Sequence, residues 1–153
     1  MVDIAIDLGR FPRAPASVLE RAVRHTLLAE GVEDGEVSVA LIDDVAIRAL
    51  NRDHLGHDGP TDVLAFALYG TGEPLLGDLY LGAAQARRQA AEEGIDEIEE
   101  LVRLAVHGTL HVLGWDHPQD GDARMECPMW VRQETLVAEV MRQIDEHAAA
   151  LHA

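Results

Sequence analysis

The stretch Leu101-Val-Arg-Leu-Ala-Val-His107-Gly-Thr-Leu-His111-Val-Leu-Gly114-Trp-Asp-His117 decides how this chain is read. From Leu101 to Leu113 it is nearly all apolar, whereas a surface helix would carry a polar face, so it predicts a buried central helix. The turns before it hold Asp96, Glu97, Glu99 and Glu100, which suit the positive end of a helix dipole and place the helix start near Asp96. Gly114 closes the helix, because glycine readily takes the left-handed conformation that ends a helix and reverses the chain.

His107 and His111 are four residues apart and share one face of that helix. Once Gly114 has turned the chain, His117 can return to the same point. Three neutral imidazoles without a fourth protein ligand match the open pattern of catalytic zinc, although nickel or another divalent ion suits the same donors. Packing is the competing explanation. It accounts poorly for two histidines on the most apolar helix, followed by a glycine and a third histidine. His25, His147 and His152 fall on predicted helix surfaces or the tail and read as solvated; His54 and His57 lie in a predicted loop. The histidine spacing copies the zinc helix of metzincin proteases, and Met125 is placed to act as their methionine turn. Those enzymes need a glutamate directly after the first histidine as general base, and Gly108 stands there instead. A peptidase would lack its base.

Working outward, residues 2–8 alternate like a strand, and Pro12 and Pro15 mark a loop. Ser17 is placed to cap a helix to about Glu30, with Leu19, Ala22, Val23 and Leu27 on one face and Gly31 at its end. Residues 36–42 form a second strand, and Asp43 or Asp44 caps a short helix through Leu50. Residues 53–60 read as a loop. Strands follow at 63–68 and 78–81, joined through Gly70, Gly72 and Pro74, then a helix over 83–93 stopped by Gly94. After the central helix, a last helix starts near Pro128 with Trp130, Val137, Met141, Ile144 and Ala148 on one stripe. The expected fold is α+β: a small mixed four-stranded sheet packed with about five helices, with the zinc site at the end of the central buried helix. No repeat, linker or composition break divides the chain, so residues 1–153 read as one domain.

Composition narrows the function. The chain is 48% hydrophobic and has no apolar run long enough to span a bilayer, so no membrane partner is expected. Its alternating start reads as a strand rather than a secretory signal, and its single cysteine, Cys127, suits a reducing cytoplasm. All 12 basic residues are arginines, and the net charge of −16 opposes chain-wide affinity for nucleic acid. A local patch remains open, with Arg10, Arg13, Arg21 and Arg24 as candidates and only Glu20 among them.

The sequence resembles the YbeY family of bacterial endoribonucleases and rRNA maturation factors. Three parts carry the resemblance: His107-Gly-x-Leu-His111-x-Leu-Gly-x-Asp116-His117, Pro60-Thr61-Asp62-Val63-Leu64-x-Phe66, and Leu76-Gly77-Asp78-Leu79, with Leu50-Asn51 preceding the second at the family's distance. The resemblance implies that His107, His111 and His117 bind one zinc ion per chain. It also implies a zinc-dependent, single-strand-specific endoribonuclease acting in 16S rRNA 3′-end maturation and ribosome quality control. Single-stranded RNA and the small ribosomal subunit or its proteins are then the partners. It assigns no side-chain acid or base. Pro60-Thr61-Asp62 could equally well just start a strand and Gly77-Asp78 just end a turn, and Asp116 could either support a ligating histidine or be a loop residue. One departure stands out: many family members carry an arginine four residues after the asparagine and a lysine two further on, where this chain has Leu55 and His57. That departure keeps two alternatives open, a non-enzymatic metal-stabilised ribosome assembly factor and a metal-dependent hydrolase of another substrate.

Overall fold

The computed structural model describes residues 1–56, 61–117 and 127–151. In chain order the elements are β1 (Val2–Asp7), α1 (Ala16–Ala29), β2 (Gly35–Ile42), α2 (Asp44–Leu55), β3 (Val63–Ala67), β4 (Leu75–Gly82), α3 (Ala83–Glu93), α4 (Glu97–Val112) and α5 (Pro128–Leu151). The sheet runs β1-β2-β4-β3, with β1, β2 and β4 parallel and β3 antiparallel to β4. The expected α+β fold is therefore observed, with a four-stranded mixed sheet and five helices among the described residues.

The central helix holds the structure together. Between Glu100 and Val112, every residue of α4 except Arg103 and His111 is buried. It packs on β3 and β4 with one side and meets α1, α3 and α5 with the rest. Asp96 caps its start by accepting from the Ile98 N–H at 2.7 Å. Its end is a Schellman turn: the Gly114 N–H donates to the His111 carbonyl and the Trp115 N–H to the Leu110 carbonyl, both at 3.0 Å. Gly114 sits there at φ 98°, a conformation that favours glycine.

Several boundaries differ from the sequence reading. Ser17 does not cap α1; the helix begins at Ala16 behind Pro15, with no side-chain cap. Asp43 caps α2 by accepting from the Ala46 N–H at 2.8 Å, and the helix continues past Leu50 to Leu55, where Gly56 ends it. Asp53 to Leu55 thus belong to its last turn rather than to a loop. β4 starts at Leu75 because it pairs along its length with β2 and then with β3, so Gly77 and Asp78 lie mid-strand rather than in a turn. On α5 the buried face is Met129, Gln133, Leu136, Val137 and Val140; Trp130 lies beside it, and Ala148 is exposed. His25 is no solvated surface residue: it lies 3.0 Å from Glu139 and 3.2 Å from Gln143, bridging α1 to α5.

Candidate metal centre

Helical geometry stacks His107 and His111 one turn apart on α4, and the Schellman turn returns His117 to them. Ring centroids lie 4.5 Å apart for His107 and His111, 5.1 Å for His107 and His117, and 4.9 Å for His111 and His117. One potential ligand nitrogen from each ring falls within 4.8 Å of the other two. His107 is buried and the other two are half-buried, so the group opens toward solvent on one side.

Hydrogen bonds identify which nitrogens face inward. His111 Nδ1 lies 2.9 Å from the Trp115 carbonyl, which can only accept, so Nδ1 carries the proton. His107 Nδ1 lies 2.6 Å from Gln133 Oε1 and donates to it. Both rings then present Nε2 to the shared point, and these two atoms are 3.0 Å apart. Zn–N bonds of about 2.0–2.1 Å at a tetrahedral angle place two nitrogen ligands about 3.3–3.4 Å apart, so the donors fit a zinc-sized ion after a small adjustment. Neutral imidazoles oriented through their outer N–H groups are the usual form of such ligands.

The surroundings fix this arrangement. A Cβ on Gly77 would lie 2.6 Å from Val112 Cγ1, and one on Gly108 would lie 2.9 Å from Leu79 Cδ2, so both glycines allow α4 to lie close on the sheet. Gly108 faces β3 and β4, which leaves no room there for a protease-type glutamate. Trp115 is held by its indole N–H, which donates to Glu30 at 2.5 Å, and Arg132 binds the same carboxylate at 3.0 Å. A cavity of about 600 Å³ reaches His107 and is walled by Asp62, Glu99, Glu100, Glu134, Arg103 and Trp130, among others. Within it, burial pushes the Glu100 carboxyl up. Burial also acts to raise Glu134, but hydrogen bonds from Arg103 and Gln133 outweigh it and hold that carboxyl below its usual range. The Glu134 hydrogen bond, opposed by burial, raises Arg103.

The other candidates fare differently. Asp116 is exposed, and the Nδ1 atoms of His107 and His111 go to Gln133 and Trp115 rather than to it. Asp62 accepts from Gln89 at 3.1 Å and Asp78 from Ser38 at 2.6 Å, tying elements of the sheet and α3 together. Leu55 is 50% exposed, Arg52 pairs with Asp53 at 3.1 Å, and His54 meets the Phe66 ring edge-on. The arginine patch does not form as one unit. Arg24 is tied to Glu20 and to the Val2 carbonyl, while Arg10 and Arg13 line a second cavity of about 710 Å³ with Arg87, Asp96 and Glu97. His57, Pro60, Met125 and His152 lie outside the described residues. Sequence reasoning missed Gln133 and its neighbours Glu134 and Arg103. One signal was present: Gln133 interrupts the apolar spacing of Met129, Leu136, Val137 and Val140.

A buried helix that offers two oriented imidazoles to a third, within a mixed sheet, defines a class: a small α+β protein with a group that could hold one metal ion. Residues 4–141 match the family model of Endoribonuclease YbeY. An Endoribonuclease YbeY from Geobacillus thermodenitrificans is 42% identical over 148 residues, covering 89% of this chain and 93% of the relative. One from Moorella thermoacetica is 45% identical over 136 residues, covering 81% and 85%. The solution structure of a Thermotoga maritima protein superimposes with a TM-score of 0.64 at 26% identity, covering 96% of this chain and 93% of that one. The chain belongs to the Endoribonuclease YbeY family, a family of RNA-cleaving hydrolases. Among the described residues, no helix is long and apolar enough to cross a membrane.

Proposed function

We propose that this chain, acting as one domain over residues 1–153, is a zinc-dependent, single-strand-specific endoribonuclease. It works in the cytoplasm on 16S rRNA 3′-end maturation and ribosome quality control, in contact with the small ribosomal subunit. The observation that carries this reading is the convergence of His107, His111 and His117, two of them with the Nδ1 proton directed outward, in a chain of this family. The three imidazoles would hold the ion, and Gln133 and the Trp115 carbonyl orient two of them. A zinc ion so held supplies Lewis acidity toward a phosphoryl oxygen and makes water more acidic. With three protein ligands, the site leaves room for an RNA phosphodiester.

The test uses tag-free protein purified without added metal. Elemental analysis should find about one zinc per chain, the stoichiometry of one three-imidazole site. Single-stranded RNA should be cut, double-stranded RNA and denatured casein should stay intact, and His111→Ala should lose both zinc and cleavage. Zinc-dependent peptide cleavage lost in His117→Ala would overturn the assignment. A second reading, a non-enzymatic assembly factor stabilised by its metal, is favoured by Leu55 standing where many family members carry arginine. Inactive, fully zinc-loaded protein that binds small subunits tightly would establish it.

A further inference from the structure

We propose that Gln133 is a positioning residue that locks the tautomer of His107, and that Glu134 and Arg103 hold its amide in the one orientation able to do so. The proposal rests on the metal reading of the three-histidine site. Gln133 is 2% exposed, and an amide buried in an apolar stripe must have its polar atoms satisfied. Its Nε2 donates to Glu134 Oε2 at 3.0 Å. A carboxylate held ionised can only accept, so the NH₂ end must face Glu134 and the carbonyl end must face His107. Oε1 in turn can only accept, so His107 Nδ1 carries the proton, at 2.6 Å. Arg103 anchors the other end of the relay: its Nε and Nη2 donate to the two Glu134 oxygens, each at 2.9 Å. A guanidinium fork on a carboxylate is directional and remains charged. The relay therefore runs from Arg103 on α4, across Glu134 and Gln133 on α5, and back to His107 on α4. Each step has a single permitted donor direction, and the result is that His107 directs Nε2 toward His111 and His117.

This role differs from packing. A leucine at 133 would fill the stripe between Met129, Leu136 and Val137, so Gln133→Leu should fold, yet it removes the acceptor that fixes the ring. The pair Gln133→Glu with Glu134→Gln keeps an acceptor against His107 Nδ1 and a donor–acceptor contact between positions 133 and 134.

The experiment measures zinc affinity by competition with a chromophoric chelator. It also reads the imidazole tautomer by nitrogen-15 NMR on metal-free protein, with thermal unfolding as the folding control. In the parent protein His107 should be the Nδ1–H tautomer before metal is added. Gln133→Leu should lose about 10- to 100-fold in zinc affinity, the usual effect of removing a partner behind a ligating histidine, and His107 should populate the Nε2–H tautomer. The double swap should restore affinity to within a few-fold. Unchanged affinity and tautomer in folded Gln133→Leu would overturn the proposal, as would an Nε2–H His107 in the parent protein. If Gln133→Leu does not fold, Glu134→Leu decides: it leaves Gln133 in place but frees its amide to flip, and an undisturbed His107 tautomer would overturn the relay. If the parent protein binds no zinc, the metal reading fails, while the metal-free tautomer still tests the relay.

Discussion

Leu55 ends α2, half exposed, where an arginine of the resembling family could reach a phosphate with a planar, permanently charged fork. Leucine offers neither charge nor donors. Charge-assisted hydrogen bonds contribute about 1.5–3 kcal/mol, which corresponds to roughly ten- to a hundredfold in rate. Leu55→Arg should therefore raise single-stranded RNA cleavage within that range and leave zinc content unchanged, and its exposure means the fold should accept it. Arg52 is the nearby alternative. Its exposed pair with Asp53 holds it only weakly, so it is available to a phosphate. If Arg52 or His57 already fills the role, Leu55→Arg changes little and Arg52→Ala or His57→Ala removes activity. Cleavage rates of the three variants at one salt concentration separate the two cases.

At the level of elements, the site depends on how closely α4 lies on β4. Gly77 makes that approach possible, since a Cβ there would lie 2.6 Å from Val112 Cγ1 and 3.1 Å from Cγ2, and valine cannot turn both methyls away. Gly77→Ala should cost about 1–3 kcal/mol, the usual range for an overpacked core position. Urea unfolding should show this as a lower midpoint at unchanged slope. The last turn of α4 should move as well, because the Val112 carbonyl accepts from Tyr69 at 2.9 Å and His111 is its neighbour. Zinc affinity should fall together with stability. An unchanged midpoint would mean that the helix can shift without cost and that Gly77 is not what sets its distance.

For the whole molecule, a metal held by α4 and the segment after it should stabilise the folded state by mass action. A ligand that binds only the native state adds about 2.7 kcal/mol at a hundred times its dissociation constant. For a domain of about this size each kcal/mol moves Tm by roughly 2–4 °C. Zinc at that excess should therefore raise Tm by about 5–11 °C over chelator-treated protein. His117→Ala should shrink the gap by removing one ligand. Equal Tm values with and without zinc in the parent protein would separate the histidine group from metal binding.

Several elements and the histidine group were readable from local patterns alone. Periodicity and caps placed β1, β2, α3 and α4 to within a residue or two, because each carries its own apolar pattern and its own stop signal, such as Gly94 or Gly114. The three histidines were legible because i and i+4 on a helix share a face whatever surrounds them. Other features arise from contacts between segments distant along the chain. The start of β4 depends on strands β2 and β3 that pair with it, and pairing is not written in local spacing. Gly77 and Gly108 looked like turn chemistry and a missing base; contact with Val112 and Leu79 made them close-approach positions. The His107 tautomer depends on Gln133, 26 residues further along the chain, and on the Arg103–Glu134 pair behind it. A hydrogen bond across two helices exists only once the helices have packed.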